Sequence, residues 1–438
     1  HYSRIDCYPE VMGGIEKVNE GKCLARGCLY DSVVMSGVPH CFFKTNDYGY
    51  MINGTREDTD LGYQIPLKRS PLPGPFPEDL QQITFEVQEL DDHLLRVKIF
   101  DKNKKRFEVP LELTNPGTKA ENPRYMVKYF NNNTFSFQVI RHTTETVLFD
   151  TSVGGLTFAD KFLQISSKLP STNIYGFGEN AIKDSFRHNL WFKSYPLFSR
   201  DQPTNEPLNH YGVHPFYTVL ENDGNSHGVL ILNSNAQEYS FTPLPMLTYR
   251  TIGGILDLYF FLGPEPENVI QQYTTMIGKP YMPPYWSLGF QLSRFGYDNL
   301  EEMKQAVTRT REAKIPHDVQ MADIDHMNQR KDFTVDDVNF AGLKDYFNDL
   351  RSDGMRTIII LDPALQAEDT NYEPYERIKA VNGYIKWPVG ASIPSDMVFP
   401  DFFNENTARV WSELIAEHTN LVPFDGIWIV SLFLFTFR

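Results

Sequence analysis

The chain has 438 residues, 56 of them acidic and 41 basic, for a formal net charge of −15. That excess of carboxylates excludes nucleic acid and anionic membrane as natural partners, because both demand basic surface. The length exceeds one ordinary domain, so two or three are expected, with 41% hydrophobic and 14% aromatic residues to fill their cores.

No apolar run reaches the roughly 18–20 residues needed to span a bilayer. The sequence lacks an initiator Met and a signal peptide, so its N-terminus reads as incomplete or processed. All four cysteines, Cys7, Cys23, Cys28 and Cys41, fall in the first tenth of the chain. Clustering of this kind marks a small module stapled by disulfides. There is no C-x-x-C pair, which argues against a zinc site, and four free thiols remain the competing reading. The sequons at Asn53 and Asn132 agree with an extracellular or luminal setting.

From about residue 54 to 275 the alternation predicts strands. Ile83, Phe85 and Val87 lead to a turn at Asp91-Asp92, and Leu95, Val97 and Ile99 lead back. Phe135, Phe137 and Val139, then Val147 and Phe149, repeat the hairpin pattern. Frequent Gly and Pro punctuation fits a β-sandwich. Residues 186–216 read as an irregular loop holding His188, His210, His214 and Asp201 among aromatics. The histidine spacings fit no single helix face, so a metal is not expected. Rings with one carboxylate suit a sugar better.

From Met282 the rhythm becomes strand, helix, strand, helix. Tyr285–Ser293 reads as a buried strand, and the helix after it is expected to be capped by Asp298 with Glu301 reaching back. A second strand ends at Asp323 and Asp325, then comes a helix closed by Gly354. A third strand ends at Asp362, a further helix turns Trp411 and Ile415 inward, and "DGIWIV" forms a fourth strand. Alternation of this kind gives parallel strands, and carboxylates at their C-terminal ends lie where a β/α barrel places its chemistry. A Rossmann-like sheet competes, but no G-x-G-x-x-G follows any of these strands.

"RIDCYPE", "GKCLARGCLYD" and "GVPHCFF" resemble a P-type trefoil in which the family's first and fifth cysteines are missing together. The resemblance implies the pairs Cys7–Cys28 and Cys23–Cys41. "YWSLGFQLSRFGY", "MADIDHM", "RKDFT", "IIILDPA" and "FDGIWI" resemble glycoside hydrolase family 31, and the trefoil in front points to its intestinal α-glucosidase branch. "FSRDQP", "YGVHPFY" and "LTYRTIGGILD" extend the likeness through the strand-rich region.

Three domains follow: a trefoil over 5–51, a galactose-mutarotase-like β-sandwich over 54–275, and a truncated catalytic (β/α)8 TIM barrel over 282–438. The family's reaction is retaining hydrolysis of terminal α-1,4-linked glucose by a nucleophilic and an acid/base Asp about 5 Å apart. Carried over, Asp201, Phe295, Asp323, Ile324 and Ile360 would line the sugar pocket. The position of the nucleophile holds Val430, and the acid/base would fall beyond Arg438. The segment between Pro388 and Met397 is also shorter than in relatives, with a pocket Trp lost.

The expectation is therefore a catalytically silent chain of an α-glucosidase family, whose partners are α-glucoside oligosaccharides and which needs no cofactor or metal. A non-catalytic carbohydrate-binding isoform is the alternative. Only four of eight barrel strands are expected, so residues 282–438 should be unstable alone. The parent would sit at the apical brush-border surface, with any membrane anchor outside these residues.

Overall fold

The computed structural model describes residues 2–429 except 12–17, 33–34, 46–47, 72–73, 77–78, 115–116, 181, 183–184, 200–208, 368, 370 and 387–396. The chain forms two compact units, residues 1–279 and 280–438. Among the described residues, no helix is long and apolar enough to cross a membrane.

The first unit opens with the cysteine module. Asn19 caps the short helix Glu20–Ala25 by accepting the Lys22 N–H at 2.8 Å. Leu29–Tyr30 pairs antiparallel with Cys41–Phe42. Disulfides join Cys7 to Cys28 and Cys23 to Cys41. The half-cystines share a small core with Ile5 and Phe43, and Val153 and Met246 of the following sheets complete it. A module this small thus closes its core partly by disulfides and partly on its neighbour.

Two antiparallel sheets make up the rest of the unit, nine strands in one and eight in the other among the described residues. The alternation read in the sequence is realised in Gln82–Asp91 paired with Leu94–Phe100, and in Thr134–Arg141 paired with Val147–Asp150. Inward rings of the two sheets interleave: Phe85 lies 5.0 Å from Phe137, and Phe260 lies 5.4 Å from Phe149. All four are buried. Edge-to-face and tilted pairs at these separations add to the burial of apolar area.

Residues 186–216 are more regular than expected, because Ser194–Leu197 and Asn209–Leu220 are strands. Polarity hid them, since each carries His, Asn or Ser. The helix Pro266–Ile277 was also not anticipated, although Val269, Tyr273 and Met276 recur at helical spacing and are all buried. Tyr273 stacks on Phe216 at 4.1 Å.

The second unit carries a parallel sheet ordered Gln291–Leu292, Val319–Ala322, Arg356–Leu361, Gly426–Ile429. Strand order follows chain order, with helices Leu300–Glu312, Leu343–Ser352 and Glu405–His418 as crossovers, joined by Glu373–Ala380 before the last. Gly354 follows the second of these at φ +89°, a left-handed position that costs glycine little.

Three expectations are corrected. The buried strand at Tyr285–Ser293 is a 3-10 turn, Tyr285–Leu288, followed by two strand residues, and Tyr285 is 91% exposed. Ser287 closes the turn, donating to the Pro284 carbonyl from its N–H at 3.0 Å and from its hydroxyl at 2.7 Å. The helix cap is Asn299, which accepts the Glu302 N–H at 3.0 Å, while Glu302 accepts the Asp298 N–H at 2.8 Å. The capping pair is thus shifted by one residue from Asp298 and Glu301. In Glu405–His418 the fully buried stripe is Thr407, Val410, Leu414 and His418, with Trp411 and Ile415 flanking it.

Candidate functional site

The parallel register decides which side chains meet. Ala322 pairs with Ile359, so Asp323 emerges beside Ile360 at the C-terminal end of the sheet. Leu361 pairs with Ile429, so Asp362 leaves the same end one strand further on. Parallel strands with helical crossovers put all such ends on one edge, which is where loops can gather polar groups without breaking the core.

Asp323 is 8% exposed, and its Oδ1 accepts the Ile324 N–H at 2.7 Å, opening the 3-10 turn Ile324–His326. Burial raises its carboxyl above the usual range, the Ile324 N–H opposes that, and the Asp325 charge adds to it. Asp325 itself ties a loop down, since its Oδ2 accepts the Gly296 N–H at 2.6 Å. That bond fixes the chain immediately after Phe295, whose ring is 58% exposed. His326 is fully buried, and its Nδ1 lies 2.6 Å from the Asp323 carbonyl oxygen. The three residues after the strand therefore hold one another and the neighbouring loop.

Asp362 and Asp332 extend the polar edge. Burial and then the Asp323 charge push the Asp362 carboxyl up to about 6. Asp332 Oδ1 accepts the Asp362 N–H at 3.2 Å, and the Tyr372 hydroxyl donates to the Asp332 carbonyl at 2.9 Å. Burial and then the Asp362 charge raise Asp332 well above the carboxylate range. Asp362 Oδ1 and Asp332 Oδ2 are buried without a hydrogen-bond partner among the described residues. Buried carboxylates left open in this way are costly unless something else engages or protonates them.

Of the residues expected to line a pocket, Asp323, Ile324 and Ile360 meet at this edge, and Phe295 is reached through Asp325. Asp201 and Val430 lie outside the described residues. Asp332, Tyr372 and His326 were not singled out. Asp332 follows its strand by ten residues, and only the fold brings it under Asp362. Two of the three histidines of 186–216 make separate contacts within the first unit: His188 Nε2 lies 2.7 Å from the Gly176 oxygen, and His214 Nε2 lies 2.9 Å from the Tyr273 hydroxyl.

A set of carboxyl groups in mixed protonation states can both accept and donate hydrogen bonds to hydroxyls. Ile324 and Ile360 add apolar surface beside them. Such an edge suits a neutral polyhydroxylated ligand.

Residues 280–430 match the model of the glycosyl hydrolases family 31 TIM-barrel domain, and residues 1–44 match that of the trefoil (P-type) domain. A human protein named probable maltase-glucoamylase 2 is 40% identical over 97% of this chain, which spans 17% of that protein. Intestinal sucrase-isomaltase of Oryctolagus cuniculus is also 40% identical over 97% of this chain, which spans 25% of it. The fold is shared with the glucosidase II alpha subunit, at a TM-score of 0.71 and 17% identity over 88% of this chain and 51% of that one.

Proposed function

Because the chain belongs to glycoside hydrolase family 31 and carries a P-type trefoil domain, we propose that residues 280–429 recognise the terminal glucose of α-1,4-linked oligosaccharides such as maltose. The observation that carries this reading is that Asp323 and Asp362 leave the ends of adjacent strands close enough for their charges to interact, next to Ile324 and Ile360. The Asp323 carboxylate would accept glucose hydroxyls, and Phe295 would offer a ring face. The four strands are read as the first half of a (β/α)8 barrel, preceded by a galactose-mutarotase-like sandwich.

The family's reaction is retaining hydrolysis through a covalent glycosyl-enzyme. Val430 stands where its nucleophile is expected, and valine has no lone pair with which to form that ester. Recognition without turnover is therefore the activity proposed for the chain. The two disulfides and the trefoil support an extracellular or luminal setting. Asn53 and Asn132 are both exposed, as glycan acceptors must be. An apical brush-border location, with membrane attachment through a segment outside these residues, is the finer proposal.

Calorimetric titration of maltose or acarbose into the full chain and into Asp323→Ala tests the reading. One binding event at millimolar sugar that Asp323→Ala removes is expected, with no release of p-nitrophenol from p-nitrophenyl α-glucoside. A titration of Asp323→Ala identical to that of the parent would overturn the site, and turnover by the parent chain would overturn its silence.

A further inference from the structure

A cavity of about 530 Å³ lies within the first unit, between the cysteine module and the edge of the eight-stranded sheet. That volume is in the range of about 300–1,000 Å³ typical of small-molecule sites. Arg4, Asp6 and His40 face it from the module, and Glu238, Ser240 and Arg250 face it from the sheet. Asp6 and His40 each adjoin a half-cystine, Cys7 and Cys41, and the Cys7 N–H donates to the Cys41 carbonyl at 3.1 Å. The module wall is therefore held in place before any ligand arrives.

Charge selects the ligand class. Both guanidinium groups at the wall are already neutralised. Arg4 pairs with Asp31, while Arg250 Nη1 donates to Glu238 at 2.6 Å and its Nε to Gln164 at 2.7 Å. An anion would have to displace these carboxylates, and a purely apolar ligand would leave the ionic wall without solvent or partners. A neutral polyol can instead donate hydroxyl hydrogens to Asp6 and Glu238 while leaving the pairs intact. Burial, opposed by Arg250, raises the Asp6 carboxyl above its usual range, and its Oδ1 already accepts the Tyr8 N–H at 2.8 Å, which fixes the group in the wall.

A second observation lies at the mouth. Trp191 and Tyr2 are 41% and 53% exposed and meet edge to face at 6.0 Å. Trp191 Nε1–H donates to the Ser36 carbonyl at 3.1 Å, which sets the indole next to Gly37 and Phe192 of the cavity lining. Exposed rings beside carboxylates and hydroxyls are the surfaces on which the C–H faces of sugars stack.

We propose that this junction is a second saccharide-binding site, sized for a one- or two-ring neutral sugar and separate from the edge at Asp323. It does not depend on the reading of that edge. The test titrates maltose by calorimetry into the full chain and into Ser194→Trp, Asp6→Asn and Asp323→Ala. Ser194 lines the cavity from its sheet strand, so the indole would fill it. The expected result is a binding event that Ser194→Trp abolishes, that Asp6→Asn weakens about tenfold, and that Asp323→Ala leaves unchanged. Matching thermal unfolding of Asp6→Asn and the parent would show that the weakening is local. The proposal fails if both junction variants titrate like the parent, if Asp323→Ala alone removes all binding, or if inorganic phosphate competes with maltose.

Discussion

The two units hold their buried carboxylates differently, with guanidinium partners in the first and, among the described residues, without them at Asp332 and Asp362 in the second. In residues 1–279, Arg141 donates to Glu221 through Nε at 3.0 Å and through Nη2 at 2.5 Å, and His227 Nδ1 lies 3.0 Å from the same carboxylate. Arg141 spends its remaining donors on the Leu262 and Ser226 carbonyls. Burial alone would raise Glu221, but His227 and Arg141 outweigh it and hold the carboxyl below its usual range. In residues 280–429, His326 Nε2, both ring nitrogens of His418, Asp332 Oδ2 and Asp362 Oδ1 are buried with no partner among the described residues. Paired buried carboxylates read as structure, whereas the unpaired Asp332 and Asp362 carboxyls at the sheet edge read as a site waiting for a ligand or a proton.

Breaking a pair in the first unit should have the largest effect. Glu221→Ala would leave the Arg141 guanidinium buried and uncompensated, at a cost of about 3–5 kcal/mol. Urea unfolding followed by circular dichroism would measure it, and a loss under 1 kcal/mol would mean that Arg141 finds another partner. The second unit should respond to pH instead of to lost pairing. His418 lies under the Phe333 and Phe424 rings, and burial followed by the His326 charge lowers it to about 4. The folded state then binds fewer protons than the unfolded one. Stability is complete above the unfolded value of about 6.5 and is lost as pH falls towards 4, by roughly 3 kcal/mol. Four of the five tryptophans lie in this unit, so tryptophan fluorescence reports on it. Urea midpoints at pH 7 and 4.5 should converge in His418→Phe, and an unchanged acid limb there would acquit the histidine.

Asp362 works in the other direction. Its carboxyl is raised, so the stability tied to its proton is complete below about pH 3.8 and is lost as pH rises through about 6. Asp362→Asn removes the ionisation and should stabilise the second unit by about 2 kcal/mol at pH 8 while changing little at pH 4. Between about pH 4 and 6.5 both contributions are incomplete and they oppose each other, so together they give no stability maximum on the acid side of neutrality. If Asp362→Asn is destabilising at every pH, its carboxylate has a partner that the exposed edge conceals.

The comparison also explains what the sequence made legible. Period-two alternation marked the hairpins around Phe85 and Phe137 because one face of each strand is buried and the other is not. Strand-end aspartates marked the edge of the parallel sheet because chain order and strand order coincide there. Pairing across long separations left no such trace. Nothing local says that Asp332 sits beneath Asp362, or that His326 and His418 share a core, ninety-two positions apart in number. Ser194–Leu197 and Asn209–Leu220 were hidden because their polar residues are satisfied by neighbours that the strand itself does not specify, as when Asn209 Oδ1 accepts the Phe198 N–H at 3.0 Å.

The cap of Leu300–Glu312 turns the smallest of these differences into a measurement. Both Asp298 and Asn299 are good capping residues, so composition cannot choose between them. The structure chooses Asn299, because its side chain reaches the Glu302 N–H and Leu300 is then the first helical residue to face the core, 5% exposed. Capping from Asp298 would rotate the start of the stripe formed by Leu300, Met303 and Val307 by one residue and turn it away from Leu343 and Phe347. Asn299→Ala should therefore cost about 1 kcal/mol, and Asp298→Ala, which keeps its backbone N–H on Glu302, only a few tenths. Equal losses would show that the helix start is shared between two caps, and a larger loss at Asp298 would restore the reading based on spacing alone.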